Sequence, residues 1–458
     1  MPRFYVVSPN YDGDCLAAKL QDEGHDVVLK IVDPLYRANL EGMVPHTQSD
    51  PRSDDIVIVG STGLGNEALA WKHAGLAVLG GAPIADRLEH KRWDFMQLCG
   101  RLGVATPDTK RFTRYAAARE FLEEDGGRFV FKPSGEQDCA DTYVAQGVED
   151  MLAMLTVFER TIPQADFLLQ RFADGIEVSL EGWFNGEEWV EGAYNATMEV
   201  KKFLPGNCGV ATGCAWSTVW AYDGEPSWAV DLHHPFTEVL RKGQYCGAFD
   251  LNTVCTKDAI YVLEATPRFG LDAIQNYVAL WDMSLGDTLA SLALGELEAF
   301  RVETNLMAAS LRLSIPPYPF ATETHHADKH VPIFIEDGDW ARVWPSGIRY
   351  ARDEDRYYAS PTDGNLGCLV AHGASLDRAV PKLLDCAKRL QIPNLAYRND
   401  VGDGNGTKWQ QLAKWGFPLP PVARRMLKQA PDPKQMQQLA QGARGIGSPF
   451  GLQAFRPQ

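Results

Sequence analysis

The strongest chemical signal in the sequence is a pair of strand-like segments joined by a short polar turn. One covers residues 245–255 and carries Asn252, and the other covers residues 260–270 and carries Glu264. An antiparallel pairing would place an amide oxygen and a carboxylate side by side, and Mg²⁺ prefers oxygen ligands of this kind. Arg268 follows four residues after Glu264, where its guanidinium could fork onto phosphate oxygens. The alternative interpretation is a structural hairpin with a Glu–Arg surface pair.

A second set of polar residues lies upstream and fits nucleotide recognition. Lys132 ends an apolar strand, which is an expensive place for an unpaired charge. Residues 168–172 and 175–180 then read as a strand, a hinge and a second strand. The hinge backbone and Gln170 could read an adenine edge, while Glu177 could accept from ribose hydroxyls. The alternatives are a structural ion pair for Lys132 and a solvent-facing position for Glu177.

The elements that must position these residues begin with a parallel sheet. Over residues 1–85, short apolar runs alternate with helical segments, which is typical of an α/β unit with a parallel sheet. Residues 60–65, GSTGLG, follow the third run and precede a helix. By composition this turn could hold a phosphate at the helix N-terminus, or its glycines could serve backbone geometry alone.

Composition and charge limit the classes of function. The formal charge is −16 at pH 7. Residues 403–458 hold eight basic and two acidic residues, so the excess of acidic charge lies in the rest of the chain. Such a body repels a polyphosphate backbone, which makes nucleic acid unlikely as its partner but leaves the basic tail open. Nine cysteines without a CxxC pair, no membrane-length apolar run and no signal-peptide pattern predict a cytoplasmic protein.

Four segments in order resemble one known superfamily. Residues 75–107 are similar to the helix that carries the superfamily's first lysine, here Lys91, and residues 201–217 (KKFLPGNCGVATGCAWS) to its Gly-rich substrate loop. Residues 263–270 (LEATPRFG) resemble its metal-and-phosphate signature, and residues 367–402 resemble its C-terminal domain. The chain thus resembles the ATP-grasp superfamily, and within it the phosphoribosylamine–glycine ligases (glycinamide ribonucleotide synthetases).

The resemblance covers residues 1–402 and implies a fold. We expect an α/β protein, α+β overall, in which an N-terminal parallel α/β domain (1–90) precedes the ATP-grasp domain (91–300). Within the latter, residues of about 110–185 form a small lobe. A strand-rich C-terminal α+β domain (301–402) follows. The tail (403–458) is rich in Pro, Gly and Gln, and we expect it to pack loosely, with one short helix around 434–441.

The resemblance also implies a reaction and its residues. ATP would phosphorylate a carboxylate, an amine would attack the acyl phosphate, and an amide would form with release of phosphate. Charge positioning supplies most of the catalysis in phosphoryl transfer. Small-molecule carboxylate and amine substrates, ATP and Mg²⁺ (or Mn²⁺), no membrane, and a monomer or homodimer are therefore expected. The implied roles are ATP contact by Lys91 and Lys132, an adenine hinge at Gln170 and Phe172, ribose binding by Glu177, metal binding by Asn252 and Glu264, phosphoryl stabilisation by Arg268, and a closing substrate loop at Gly209, Thr212 and Gly213.

Several departures keep two alternatives open. Thr266 stands where the family has a metal-binding Asn, so it is a doubtful ligand. The loop after Lys132 carries added acids, and the family's N-terminal Gly-Gly-Arg-Glu-His is replaced by residues 8–14, SPNYDGD. The substrate loop, at 209–214, also differs from the family's pattern. One alternative is an ATP-grasp ligase with a different amine acceptor, such as a modified base, nucleotide or polyamine. The other is a catalytically inactive nucleotide-binding homologue.

Overall fold

The computed structural model describes residues 2–134, 142–164, 166–321 and 325–429. The chain begins with the predicted parallel sheet, in the order β2-β1-β3-β4. Its strands are almost fully buried runs of Val, Ile and Leu, as expected for strands covered on both faces. The strands and helices of this unit are β1 (Phe4–Ser8), α1 (Asp14–Asp22), β2 (Val27–Ile31), β3 (Ile56–Val59), α2 (Gly65–His73), β4 (Ala77–Leu79) and α3 (Pro83–His90), with a 3-10 turn at Pro34–Tyr36.

A small four-stranded sheet follows, in the order β5-β8-β6-β7. Alternate residues of its strands, Phe129 and Phe131 among them, pack with the two helices that cover one face. Lys132 and Gln170 lie at the alternate positions and therefore belong to the other face. The elements are α4 (Arg92–Leu102), β5 (Thr109–Phe112), α5 (Tyr115–Asp125), β6 (Phe129–Pro133), β7 (Tyr143–Val144), α6 (Val148–Thr161) and β8 (Phe167–Arg171).

The centre of the molecule is an eight-stranded sheet, in the order β13-β12-β9-β10-β11-β14-β19-β16. The sheet is continuous across the predicted boundary at residue 300, because β11 pairs with β14. Two helices, α9 and α10, follow β13, and Ser284 caps the second of them. The elements up to that point are β9 (Ile176–Phe184), β10 (Asn195–Leu204), β11 (Cys208–Ala221), α7 (Ser227–Leu232), α8 (Thr237–Lys242), β12 (Gly247–Cys255), β13 (Ile260–Thr266), α9 (Ala273–Val278) and α10 (Leu285–Ala293), with 3-10 turns at Pro205–Asn207 and His234–Phe236.

The C-terminal region completes the large sheet and adds a three-stranded sheet, β15-β18-β17. Helix α12 packs on β19 and β14 and accommodates Pro381 in its second turn. None of the described helices is long and apolar enough to cross a membrane. The elements are β14 (Met307–Ser314), β15 (Pro332–Ile333), α11 (Asp337–Trp340), β16 (Val343–Pro345), β17 (Ile348–Ala351), β18 (Arg356–Ala359), β19 (Asn365–Gly373) and α12 (Leu376–Arg389). The predicted mixed α/β architecture, with a parallel N-terminal sheet, is confirmed.

The first part of the tail differs from the expectation of loose packing. Helices α13 (Asn405–Lys414) and α14 (Pro421–Gln429) pack against the core. Trp409 is fully buried, and its ring lies 5.3 Å from that of Trp220. The reason is a buried face of helical spacing (Asn405, Trp409 and Leu412), whose two apolar members the polar composition conceals. The helix expected around 434–441 lies outside the described residues.

A buried carboxylate joins the N-terminal unit to the C-terminal region. Asp14 Oδ2 accepts hydrogen bonds from Ser346 Oγ at 2.9 Å and Asn39 Nδ2 at 3.2 Å. The side chain is inaccessible to solvent, and burial raises its pKa to about 8. The folded protein therefore binds a proton on Asp14 that the unfolded chain releases at about pH 4.

This pKa predicts a pH dependence of stability. Because the folded pKa is raised, the contribution of Asp14 is complete below the unfolded pKa and is lost as the pH rises through about 8. Between those values the free energy of unfolding should fall by up to about 1.4 kcal/mol per pH unit on account of this group. Asp14→Asn should remove that slope in urea unfolding at pH 5, 6.5 and 8. The exposed Asp26→Asn is the control, and equal slopes in wild type and Asp14→Asn would contradict the assignment.

Candidate functional site

The site is built on one polar face of the large sheet. Asn252 on β12 lies directly opposite Glu264 on β13, as predicted. The Asn252 amide donates to Thr266 Oγ1 at 3.1 Å and to Asp250 Oδ2 at 3.3 Å, while its oxygen accepts from Ser179 Oγ at 3.1 Å. The structure thus brings the three predicted metal ligands together, with Thr266 as a hydrogen-bond acceptor for Asn252.

Further carboxylates on the same face were missed from the sequence. Asp250 pairs with Glu181 across β12 and β9, and Glu199 lies on the neighbouring strand β10. Asp250 is 8% exposed, and burial raises its pKa well above the usual range, with a further rise from Glu181 and Glu199. The strand alternation that selects Asn252 also selects Asp250, so this residue had a signal in the sequence.

Lys132 reaches this face from the small sheet. Its ammonium donates to the Leu263 carbonyl of β13 at 3.3 Å. Burial lowers the pKa of Lys132, and the adjacent Glu264 opposes that shift. Burial alone would raise the pKa of Glu264, but the positive charges of Lys132 and Lys201 hold it below its usual value. The two sheets therefore meet at a carboxylate that stays ionised between two lysines.

Lys201 and Arg92 are two cations that the sequence analysis did not assign. Lys201 Nζ lies 3.1 Å from Glu199, and this carboxylate raises the pKa of the lysine. Arg92, at the start of α4, donates to the Pro133 carbonyl at 2.6 Å and so fixes the end of β6. Both lie inside segments that carry the resemblance, but Arg92 meets a carbonyl 41 residues away, which local sequence does not specify.

Arg268 lies where the large sheet meets the N-terminal unit. Its Nε donates to both oxygens of Glu89 on α3, at 2.9 and 3.2 Å. Glu89 also accepts from Thr62 Oγ1 at 2.9 Å. Both members of the pair are about a fifth exposed, so the guanidinium is partly accessible to solvent. Glu89 was not predicted.

The predicted nucleotide residues lie at the end of β8, at the start of β9 and at the N-terminus of α4. Gln170 is buried and donates to Thr109 Oγ1 at 3.1 Å. The Phe172 ring lies 3.6 Å from the Arg128 guanidinium, and its backbone N–H is bonded to the Arg128 carbonyl. Glu177 is exposed at the start of β9, and Lys91 is exposed at the N-terminus of α4. Their roles toward ATP stay predictions.

The Gly60–Gly65 turn does not offer its amides to a ligand. The backbone N–H groups of Gly63 and Gly65 donate to the two oxygens of Asp86 at 2.7 and 2.8 Å. A carboxylate of α3 thus lies where a phosphate would bind at the N-terminus of α2. The interpretation of these glycines as backbone geometry fits the structure better.

The predicted substrate loop is the exposed end of the β10–β11 hairpin. Gly209 and Gly213 are exposed, and Thr212 Oγ1 donates to the Lys201 carbonyl at 2.8 Å. The hairpin is held from below by Arg398, which donates to the Lys202 carbonyl at 2.7 Å. Under the hairpin lies a small cavity of about 10 Å³, lined by Phe203, Thr212, Ala215, Arg312, Ser314, Tyr318, Ala396, Tyr397 and Arg398.

The donor set fits a divalent cation bound together with a nucleotide. Glu264 is an ionised carboxylate beside the Asn252 amide, and Asp250 is a second carboxylate within the same hydrogen-bond network. The part of the chain that the structure describes contains no group of three or more His, Cys, Asp or Glu side chains that could hold a metal ion. Mg²⁺ is commonly held by one or two carboxylates with phosphate oxygens, so this set suits it.

Comparisons with known proteins agree with this geometry. No family model matches the chain. The phosphoribosylamine–glycine ligase of Leifsonia xyli subsp. xyli is 25% identical over 341 residues, which are 72% of this chain and 79% of the relative. The enzyme of the same name from Rhizobium meliloti is 24% identical over 414 residues, 84% of this chain and 89% of the relative.

Solved structures decide the fold. The phosphoribosylamine–glycine ligase of Thermotoga maritima superposes with a TM-score of 0.69 at 16% identity, covering 87% of this chain and 99% of that one. This chain has the ATP-grasp fold. The biotin carboxylase domain of Hydrogenobacter thermophilus 2-oxoglutarate carboxylase, in complex with MgADP, ADP and bicarbonate, follows at TM-score 0.59 and 13% identity, with 86% and 91% covered. Over most of its length this ATP-grasp chain resembles the phosphoribosylamine–glycine ligases.

Proposed function

We propose that this protein is an ATP- and Mg²⁺-dependent ligase that joins a carboxylate to an amine through an acyl phosphate. The observation that carries the proposal is the meeting of Lys132 with the Asn252–Glu264 pair across the two sheets. The ligases named among its relatives add support, since they align with 72% or more of the chain. Glycine is the first carboxylate to test, because the relatives' names include it.

The residues have distinct tasks in this reaction. Glu264 and Asn252 would hold Mg²⁺, which neutralises phosphate charge when bound. Lys132 would bind phosphate oxygens, and Arg268 would stabilise the transferring phosphoryl group and the acyl phosphate. The charged side chains of Glu264, Lys132 and Arg268 are held in a partly buried site, where electrostatic interactions are stronger than in water.

The proposal is tested by separating the two half-reactions. ATP, Mg²⁺ and a carboxylate with hydroxylamine should yield the hydroxamate of that carboxylate, ADP and phosphate, because hydroxylamine traps an acyl phosphate. Glycine with phosphoribosylamine should yield the amide, ADP and phosphate. Absence of ADP with every carboxylate tried, although ATP binds, would favour the inactive nucleotide-binding homologue.

A second candidate function is ligation to a different amine. It is favoured by the charges in the loop after β1 and under the β10–β11 hairpin. The loop between β1 and α1 contains Asp12 and no basic residue. Arg312 near the cavity is already bound to Asp272 at 2.7 Å and to Asn365 at 2.7 Å, and Arg398 is bound to Asp400. Cations that are neutralised internally are weak partners for a phosphate dianion.

A panel of amines distinguishes the two candidates. With glycine as carboxylate, we would compare ADP release with phosphoribosylamine against unphosphorylated cationic amines such as putrescine and spermidine. Faster turnover with a cationic amine would support the second candidate. Turnover with phosphoribosylamine alone would support the first.

A further inference from the structure

We propose that Glu89 is a positioning residue for Arg268, so that the N-terminal α/β unit orients the phosphoryl-stabilising guanidinium. The inference rests on the proposed function for the role of Arg268. Glu89 belongs to α3 of the N-terminal unit, outside the strands that carry Lys132, Asn252 and Glu264. Its role would be to act through Arg268 and not to contact the nucleotide.

The geometry restrains the guanidinium from two sides. Nε is bound by both oxygens of Glu89 at 2.9 and 3.2 Å, and Nη1 donates to the Phe269 carbonyl at 3.2 Å. A planar group held at two edges has a fixed orientation, and charge-assisted hydrogen bonds of this kind are the stronger ones.

Glu89 is itself fixed by the turn that follows β3. Thr62 Oγ1 donates to Glu89 at 2.9 Å, and His90 Nε2 lies 3.1 Å from the same hydroxyl. The preceding Ser61 hydroxyl donates to Asp12 Oδ2 at 3.0 Å, which ties the turn to the loop after β1. Hydrogen bonds on the adjacent residues Ser61 and Thr62 therefore connect the first loop of the chain, through Glu89, to Arg268. This gives the glycine-rich turn a task other than phosphate binding.

The variants for the test remove either the charge or the whole contact. Glu89→Gln keeps an acceptor for Nε but loses the charge, whereas Glu89→Ala loses both. Asp94→Asn is the matched control, because Asp94 is an exposed carboxylate on the next helix whose ion-pair partner is Arg87. Thermal unfolding of each variant establishes that it is folded.

Two readouts separate positioning from a structural role. In the ligase assay, Glu89→Ala should lower kcat about 100-fold with a KM for ATP within about threefold of wild type, and Glu89→Gln should lie between. In binding measurements without turnover, aluminium fluoride should strengthen MgADP binding, because it mimics the transferring phosphoryl group. This gain in MgADP affinity should be about 100-fold smaller in Glu89→Ala and in Arg268→Ala but unchanged in Asp94→Asn.

The binding readout does not depend on knowing the substrates. If wild type releases no ADP with any substrate but the aluminium fluoride increment depends on Glu89, the proposed function fails and the positioning role stands. The proposal would be overturned if aluminium fluoride strengthened MgADP binding by Glu89→Ala as much as it does in wild type. An equal loss of MgADP affinity with and without aluminium fluoride would also overturn it, since it indicates general damage to the site.

Discussion

Replacing Arg268 with alanine should lower kcat about 10³-fold, which is among the largest effects expected in this protein. Arg268 lies just past the end of the strand that carries Glu264, and its side chain is about a fifth exposed. Its proposed partner is the charge that develops on the transferring phosphoryl group. An interaction made only in the transition state lowers kcat and kcat/KM together when it is removed.

The fold should tolerate this substitution, so lost activity can be assigned to lost charge. Glu89 keeps its hydrogen bond from Thr62 when the guanidinium is absent, and its side chain is 23% exposed to solvent. Thermal unfolding should therefore shift little. The measurement is ADP release under saturating ATP and Mg²⁺, with Arg87→Ala, an exposed arginine of the same helix as Glu89, as control. A normal rate in Arg268→Ala would remove this residue from the site.

The β12–β13 hairpin is the part of the site that local sequence could predict. Side chains alternate along a strand, so a polar turn between two apolar runs brings Asn252 and Glu264 to the same face. The same rule applied to β6 places Lys132 on the face opposite Phe131. In both cases the face that the side chain occupies can be predicted from a few neighbouring residues, without knowledge of the tertiary fold.

The partners of these residues could not be predicted in that way. Glu89 meets Arg268 from 179 residues away, and Asp86 reaches the amide of Gly65 from the following helix. Such pairs depend on how separate elements pack, which hydrophobic periodicity does not specify. The prediction that the tail packs loosely was wrong for the opposite reason. Trp409 and Leu412 had helical spacing, but a prediction from average composition passed over that local signal.

Glu264→Gln should also lower turnover about 10³-fold, and it should raise the Mg²⁺ concentration needed for half-maximal rate at least about tenfold. The carboxylate is the predicted metal ligand that carries a negative charge, because its proposed partners Asn252 and Thr266 are neutral. The lysines around it hold its pKa below the usual value, so the wild-type site presents the charged form. Glutamine keeps the shape and one oxygen but removes the charge.

The Mg²⁺ dependence is what separates a ligand from a structural carboxylate. If Glu264 served only as the partner of Lys132, its loss would leave a buried ammonium with less opposing charge, and thermal stability would fall while the Mg²⁺ requirement stayed constant. Lys201 would keep Glu199 in either case. The matched control is Glu120→Gln, an exposed carboxylate on α5. A lowered melting temperature with an unchanged Mg²⁺ titration would assign Glu264 to the fold, and a shifted titration with an unchanged melting temperature would assign it to the metal.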